Sequence, residues 1–323
     1  MRRMMFVLVL GVSLGLFSQV NPDTLPEKYV KKVIIEAKWG DGPGEFGMSP
    51  YPESDPPVGP PNFYVHNDKI YVLDYLNRRV QVFDSRGGFL KEIRYNKKEI
   101  SDSLASFVDI AVDNEEWVYL LGTLVYPARD GIIAVFDNSG RYVGKIKLPI
   151  ELFADELLDG VKEGYFGQIA GGVDEFRVKD GALVLRYENK VYPLAHTNLL
   201  KGKGIGFSLT SPIRPPLKFY THKEETIFKK IKKKSWAQFR GRDKMGEFFI
   251  NRSIGIGENR TDEVLKYDHS GKLLARIVIP FSPGKFDIVR DLFVSDNGDV
   301  YYWTNDKDGL KIIKYSKEVK NEN

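Results

Sequence analysis

The stretch that most restricts what this chain can fold into is residues 68–93, DKIYVLDYLNRRVQVFDSRGGFLKEI, three short strands joined by two tight turns. The turns are Leu76-Asn77-Arg78 and Asp84-Ser85-Arg86-Gly87-Gly88, where Asn and Gly supply the positive φ that hairpin reversals demand. Ile70, Tyr71, Val72 and Leu73, then Val80, Val82 and Phe83, leave neither face of the first two strands polar. An antiparallel sheet with one wet side alternates apolar and polar residues. Here both sides must be covered, so the meander needs similar units against each face.

Such units recur along the chain. RVQVFDSRGGFLKEI (79–93), IAVFDNSGRYVGKIKLP (133–149), VLKYDHSGKLLARIVIP (264–280) and KIIKYSKEVK (311–320) each carry an apolar strand ending in an aromatic. GALVLRYENKVYPLA (181–195) and LKFYTHKEETIFKKI (217–231) fill the long interval between the second and third. The marker aromatics Phe83, Phe136, Tyr192, Phe228, Tyr267 and Tyr315 return every 36–56 residues, a spacing that suits propeller blades. The expectation is an all-β, six-bladed β-propeller of four-stranded antiparallel blades, each sheet sandwiched between two others. The strand YVKKVIIEAKWG (29–40) belongs to no blade of its own. It is expected to lie beside 311–315 and close the last blade, removing exposed edges.

A second register runs beneath the first. A polar residue stands at the matching point of an inner strand in five of the six units: Asn62, Asp109, Glu175, Gln238 and Asp291. The fourth unit, broken by Pro212, Pro215 and Pro216, has no counterpart. With Arg240 and Arg290 beside them, these residues are expected to surround the axis and form a ligand site. Asp109, Glu175 and Asp291 offer oxygens suited to Ca2+ or another divalent cation. The plainer alternative is that the set lines a watered channel, and no motif demands a cofactor.

GDGPGEFGMSPYP (40–52) followed by KIYVLDYLNRRVQVFDSRGGFLKEI resembles an NHL-type repeat. Gly42, Gly44, Glu45 and Phe46 match its glycine-rich loop. Tyr71, Val72, Asp74, Asn77, Arg79, Val80, Phe83, Asp84 and Gly87 match its strands and turns. The likeness is full in the first unit, partial in the second, fifth and sixth, and poor in the third and fourth. It implies a six-bladed propeller of the exported bacterial type, over about residues 30–320. The insertion MSPYPESDPPVGPP (48–61) departs from the repeat and reads as a surface loop.

Residues 1–18 have the layout of a secretory signal peptide: Arg2 and Arg3, then an apolar run from Phe6 to Phe17, too short for an ordinary membrane span. The expectation is a secreted or periplasmic protein with residues 19–323 as one propeller domain, an uncleaved membrane anchor being the alternative. The absence of cysteine excludes disulfides and a thiol nucleophile. The net charge of +4 is unevenly spread, with the basic run KKIKKKSWAQFRGR (229–242) read as a solvated turn between blades. His66, His196, His222 and His269 show no zinc-ligand spacing, and His66 and His269 read as turn residues. KGKGIGF (201–207) lacks the lysine-hydroxyl element of a phosphate loop. The expected role is a monomeric binding scaffold for a protein or an anionic glycan rather than nucleic acid. A metal-dependent hydrolase or lyase acting at the axis is the alternative.

Overall fold

The computed structural model describes residues 24–49, 59–125, 130–149, 173–187, 190–201, 205–208, 217–218, 221–255, 260–280 and 291–319. The leader segment 1–18, Arg290 and most of the proline-rich insertion lie outside the described residues. The described end of that insertion, Gly59 to Pro61, is buried.

The first strand, β1 (Tyr29–Lys38), is followed by the opening meander: β2 (Asn62–His66), β3 (Lys69–Asp74), β4 (Arg79–Asp84) and β5 (Phe89–Arg94). The second blade is β6 (Leu104–Val112), β7 (Val118–Leu124), β8 (Gly131–Phe136) and β9 (Tyr142–Leu148). The third begins with β10 (Val173–Lys179), β11 (Ala182–Tyr187) and β12 (Lys190–His196). Two short strands follow: β13 (Ile205–Ser208), which joins the second blade parallel to β9, and β14 (Leu217–Lys218), the fourth strand of the third blade. After helix α1 (His222–Lys232) comes the fourth blade: β15 (Trp236–Arg242), β16 (Phe248–Ile254), β17 (Thr261–Tyr267) and β18 (Leu273–Ile279). The last blade holds β19 (Leu292–Val294), β20 (Val300–Asn305) and β21 (Gly309–Lys317), with β1 as its outer strand.

Among the described residues the propeller has five blades, and the six expected are corrected to five. The difference falls on the unit 217–231. Its marker Phe228 sits on α1, not on a strand. Local chemistry decides this. The Thr221 hydroxyl accepts from the Glu224 amide, and the Thr221 amide donates to the Glu224 carboxylate at 2.7 Å, a reciprocal cap that starts a helix. Ile227, Phe228 and Ile231 then fall on one helical face and pack against Phe239, Phe248 and Leu265 of the fourth blade. The other side of that blade, through Phe249, Val264 and Ile277, packs against the fifth. The helix thus covers the side turned toward the third blade and stands where a sixth blade was expected. The lysine-rich run expected as a turn is the end of this helix and the start of β15.

The first blade shows what buries both faces of a short meander. Tyr71, Leu73, Val80 and Val82 join a core shared with the second and third blades, while Ile70, Val72 and Phe83 join one shared with the last. The ring closes through β1 and β21, antiparallel, with Val33 opposite Ile313, Ile35 opposite Ile312 and Ala37 opposite Leu310. Two glycines allow this fit. A Cβ on Gly87, at φ +88°, would lie 1.6 Å from the Ile34 carbonyl oxygen, and one on Gly309 would lie 1.9 Å from that of Ala37. Lys266 adds a buried clasp: its ammonium meets Glu27 at 2.8 Å and Glu247 at 2.5 Å. Burial works against ionising Glu27, but Lys266 and Lys317 outweigh it and hold that carboxyl below its usual range.

Arg79 and Asn77, which match the strands and turns of the NHL-type repeat, hold the glycine-rich loop in place. Arg79 is fully buried and uses all five guanidinium donors. Its Nε donates to Asp74 at 2.9 Å; its two terminal nitrogens donate to the carbonyls of Asp41, Gly42 and Glu45 and to the Glu92 carboxylate. Asn77 and Gln81 reach the same loop, donating to the carbonyls of Gly40 and Glu45. The loop has little regular backbone pairing, so these side chains supply its partners.

Candidate functional site

Each member of the aligned polar set lies on, or one residue before, a different inner strand: Asn62 on β2, Asp109 on β6, Glu175 on β10, Gln238 on β15 and Asp291 before β19. They form local groups rather than one ring. Asn62 Nδ2 donates to Asp109 Oδ1 at 2.6 Å, and both side chains are buried. Glu175 sits between Arg177, at 2.9 Å, and Arg186, at 3.3 Å. Arg240 pairs with Asp291 at 3.0 Å. Gln238 stands opposite Asn251 in the ladder between β15 and β16. Arg290 lies outside the described residues. Among the described residues, no three His, Asp or Glu side chains are grouped so that they could hold one metal ion.

A concavity lies further along the same strands. A cavity of ≈ 700 Å³ is lined where the inner strands end and turn outward, by Tyr64 and His66, Asp113, Arg177 and Lys179, Arg242 and Asp296. Because side chains on a strand repeat every two residues, most of these positions follow from the aligned set. Two residues beyond Asn62 and Glu175 are Tyr64 and Arg177, and four beyond Asn62, Asp109 and Glu175 are His66, Asp113 and Lys179; in β15 a bulge between Phe239 and Gly241 breaks the alternation, so Arg242 does not follow from Gln238. That stepping was the sequence signal for the cavity wall.

The turns that rim the cavity are fixed by aspartates. Asp113 Oδ1 accepts from the Glu115 and Trp117 amides, and Asp243 Oδ1 accepts from those of Met245 and Glu247. The same device at Asp84 and Asp137 shapes the outer turns. On the rim, Lys201 bridges Asp113 at 3.1 Å and Glu115 at 2.7 Å.

Arg177 is the central cation. From the third blade it holds Glu175 beside it and reaches Asp296 of the fifth blade at 3.3 Å, spanning the channel. Burial disfavours its charge, but Glu175, Tyr64 and Asp296 more than compensate and hold its pKa above the usual arginine value. Burial pushes the Tyr64 phenol up to about 12, against the pull of Arg177. The Tyr64 ring meets Phe293 edge-on, with centroids 5.0 Å apart.

The turn reading of His66 is corrected. It closes β2 and lines the cavity, and burial lowers its pKa despite the opposing fields of Asp296, Asp113 and Glu116. Its Nε2 and the Nε of Arg177 are buried and have no hydrogen-bond partner among the described residues. Of the other histidines, His222 opens α1 and His196 ends β12, both exposed, and His269 lies in an exposed turn. Two stretches, Asn251-Arg252-Ser253 and Asn259-Arg260-Thr261, fit the N-glycosylation pattern; Asn251 is buried in β16, while Asn259 lies outside the described residues.

The strand order and this axial cavity define the molecule as a β-propeller, with five blades among the described residues. No protein-family model matches the chain, the NHL-type repeat included, and no curated protein matches it. Among solved structures it is similar to the catalytic domain of an α-L-arabinofuranosidase from Coprinopsis cinerea, at 10% identity, over 92% of this chain and 98% of that one, with a TM-score of 0.40. It is also similar to a member of the DUF4221 family from Bacteroides vulgatus, at 13% identity over 79% and 76% of the two chains, TM-score 0.31. A protein of unknown function from Bacteroides caccae matches at 11% identity over 73% and 66%, TM-score 0.31.

Proposed function

We propose that this chain is an exported binding propeller whose axial cavity receives an acceptor-rich group, a carboxylate or sugar, presented by a protein or an anionic glycan. The observation that carries this reading is Arg177 spanning the cavity, with His66 Nε2 and Arg177 Nε, which have no hydrogen-bond partner among the described residues, beside it. A buried donor without a partner is costly, and a ligand oxygen that reaches it removes the cost.

Non-enzymatic binding fits the carboxylates better than hydrolysis or lysis. Acid–base work needs a carboxyl poised to exchange its proton. Asp109 accepts from Asn62 and from the Ile110 amide, Glu175 faces two arginines, and Asp291 faces Arg240. A shared divalent cation would have to displace these partners. The test is calorimetric titration with an oligouronate and with its neutral counterpart, on the wild type and Arg177→Met. The reading expects uronate binding in the wild type only. Undiminished binding by Arg177→Met would move the site elsewhere. Divalent-cation-dependent turnover of either glycan, lost in Asp109→Ala and Asp291→Ala, would restore the enzyme reading.

A further inference from the structure

A second surface stands apart from the cavity. Between Lys229 and Lys234 the chain has five lysines and one isoleucine, followed closely by Trp236. All five lysines are exposed, and Trp236 is 55% exposed although it opens an inner strand. The apolar side of α1 is fixed on the fourth blade through Ile231, with Ile227 and Phe228 beside it, so the helix cannot roll to hide its charge. Lys229 pairs with Glu225 at 2.8 Å, whereas Glu224, the other acid of the helix, is taken by the Thr221 cap and by Arg242 at 2.7 Å. A basic last turn complements a helix dipole, yet one or two cations do that. Five within six positions repel one another.

The kind of cation matters. Arginine forks suit defined carboxylate or sulfate pairs, while lysine is a mobile point charge suited to a diffuse layer of negative charge. An exposed tryptophan beside lysines has the make-up of a bilayer-interface anchor, its ring at headgroup depth. β15 runs seven residues from Trp236 to Arg242 at the cavity, so the patch lies about 20 Å from the axial site.

We infer that Lys229–Lys234 and Trp236 dock the propeller onto an anionic phospholipid surface, leaving the axial cavity open to its own ligand. Each lysine near such a surface contributes roughly fivefold in affinity. The test is cosedimentation with phosphatidylcholine vesicles containing one-third phosphatidylglycerol, beside pure phosphatidylcholine vesicles. The wild type should bind the anionic vesicles alone and be released by salt. The triple variant Lys230→Gln/Lys233→Gln/Lys234→Gln should bind about a hundredfold more weakly. Its circular dichroism and thermal midpoint should match the wild type, because these side chains are exposed. Trp236→Ala should weaken binding by an amount that salt does not change. Absence of vesicle binding at low salt, or binding unaltered in the triple variant, overturns the inference. Binding to a soluble polyuronate through these lysines without vesicle binding also overturns it, giving the face to a glycan. Because the axial site is tested with Arg177→Met, the two readings fail separately.

Discussion

Asp109 Oδ1 accepts from two donors at once: the Asn62 side-chain amide at 2.6 Å, from the neighbouring blade, and the Ile110 backbone amide at 2.7 Å. The bond between Asn62 and Asp109 ties the inner strands of the first two blades beside the axis. Asp109→Leu leaves the Asn62 amide, itself wholly buried, without this acceptor. The expected loss is about 3 kcal/mol in urea unfolding, with Asp109→Asn losing less than half of that. An equal loss in both variants would show that size rather than hydrogen bonding sets the effect.

Arg79→Lys is expected to cost about 3 kcal/mol despite preserving the charge, because an ammonium cannot replace a five-donor planar fork. The carbonyls of Asp41, Gly42 and Glu45 would lose the arginine donors together, Glu45 keeping only Gln81 and Gly42 only the Glu45 amide. Limited proteolysis should then cut first within 40–47. Cutting elsewhere would separate Arg79 from the loop.

Gly87 and Gly140 share φ +88°, so a paired substitution isolates the effect of close approach. Gly140→Ala meets only the Ile93 side chain, at 3.1 Å, and should cost about 1–2 kcal/mol from left-handed strain. Gly87→Ala adds a collision with the backbone of β1 and should cost more than twice as much. Its amide exchange should rise along β1 and β21. Equal costs would mean the closing strand yields easily.

Acid should weaken the fold in two stages. His66 has a folded pKa below its ordinary 6.5, so the unfolded chain binds its proton first. Stability from this group is complete above pH 6.5 and falls as pH drops from there toward the folded value. His66→Leu should flatten that portion of the urea-midpoint profile. Glu27 and Glu224 are depressed below 4.5, burial opposing but Lys266 and Lys317 prevailing at the first and Arg242 with the Thr221 cap at the second. Their contribution is present above 4.5 and disappears as pH falls below it. A His66→Leu profile identical to wild type would place the first stage elsewhere.

The sheets were legible because strands buried on both faces leave a mark that few folds can satisfy. The pairing of Val33–Ala37 with the end of the chain followed from an orphan strand and a blade short of one. The blade count was misread at Phe228, where an aromatic at the right interval outweighed the Thr221–Glu224 cap that specifies a helix. The polar register was the better guide, since it matched five units and failed in the one that is no blade. The cavity wall was less visible. Tyr64, His66 and Arg177 lie two or four residues past the aligned set, and only the way the inner strands turn outward brings them together. No local pattern announces Arg177 meeting Asp296, because those residues stand 119 positions apart.

β1 leaves the ribosome before the four blades that separate it in sequence from its partner β21. Until β21 follows, Ile34, Ile35 and Ala37 have no sheet to join, and the other blades must wait, assembled but unlatched. Such distant pairing makes closure slow compared with the hairpins that precede it. During that interval the newborn chain is vulnerable to sticking to its own copies, so a holding chaperone should matter most before β21 has emerged.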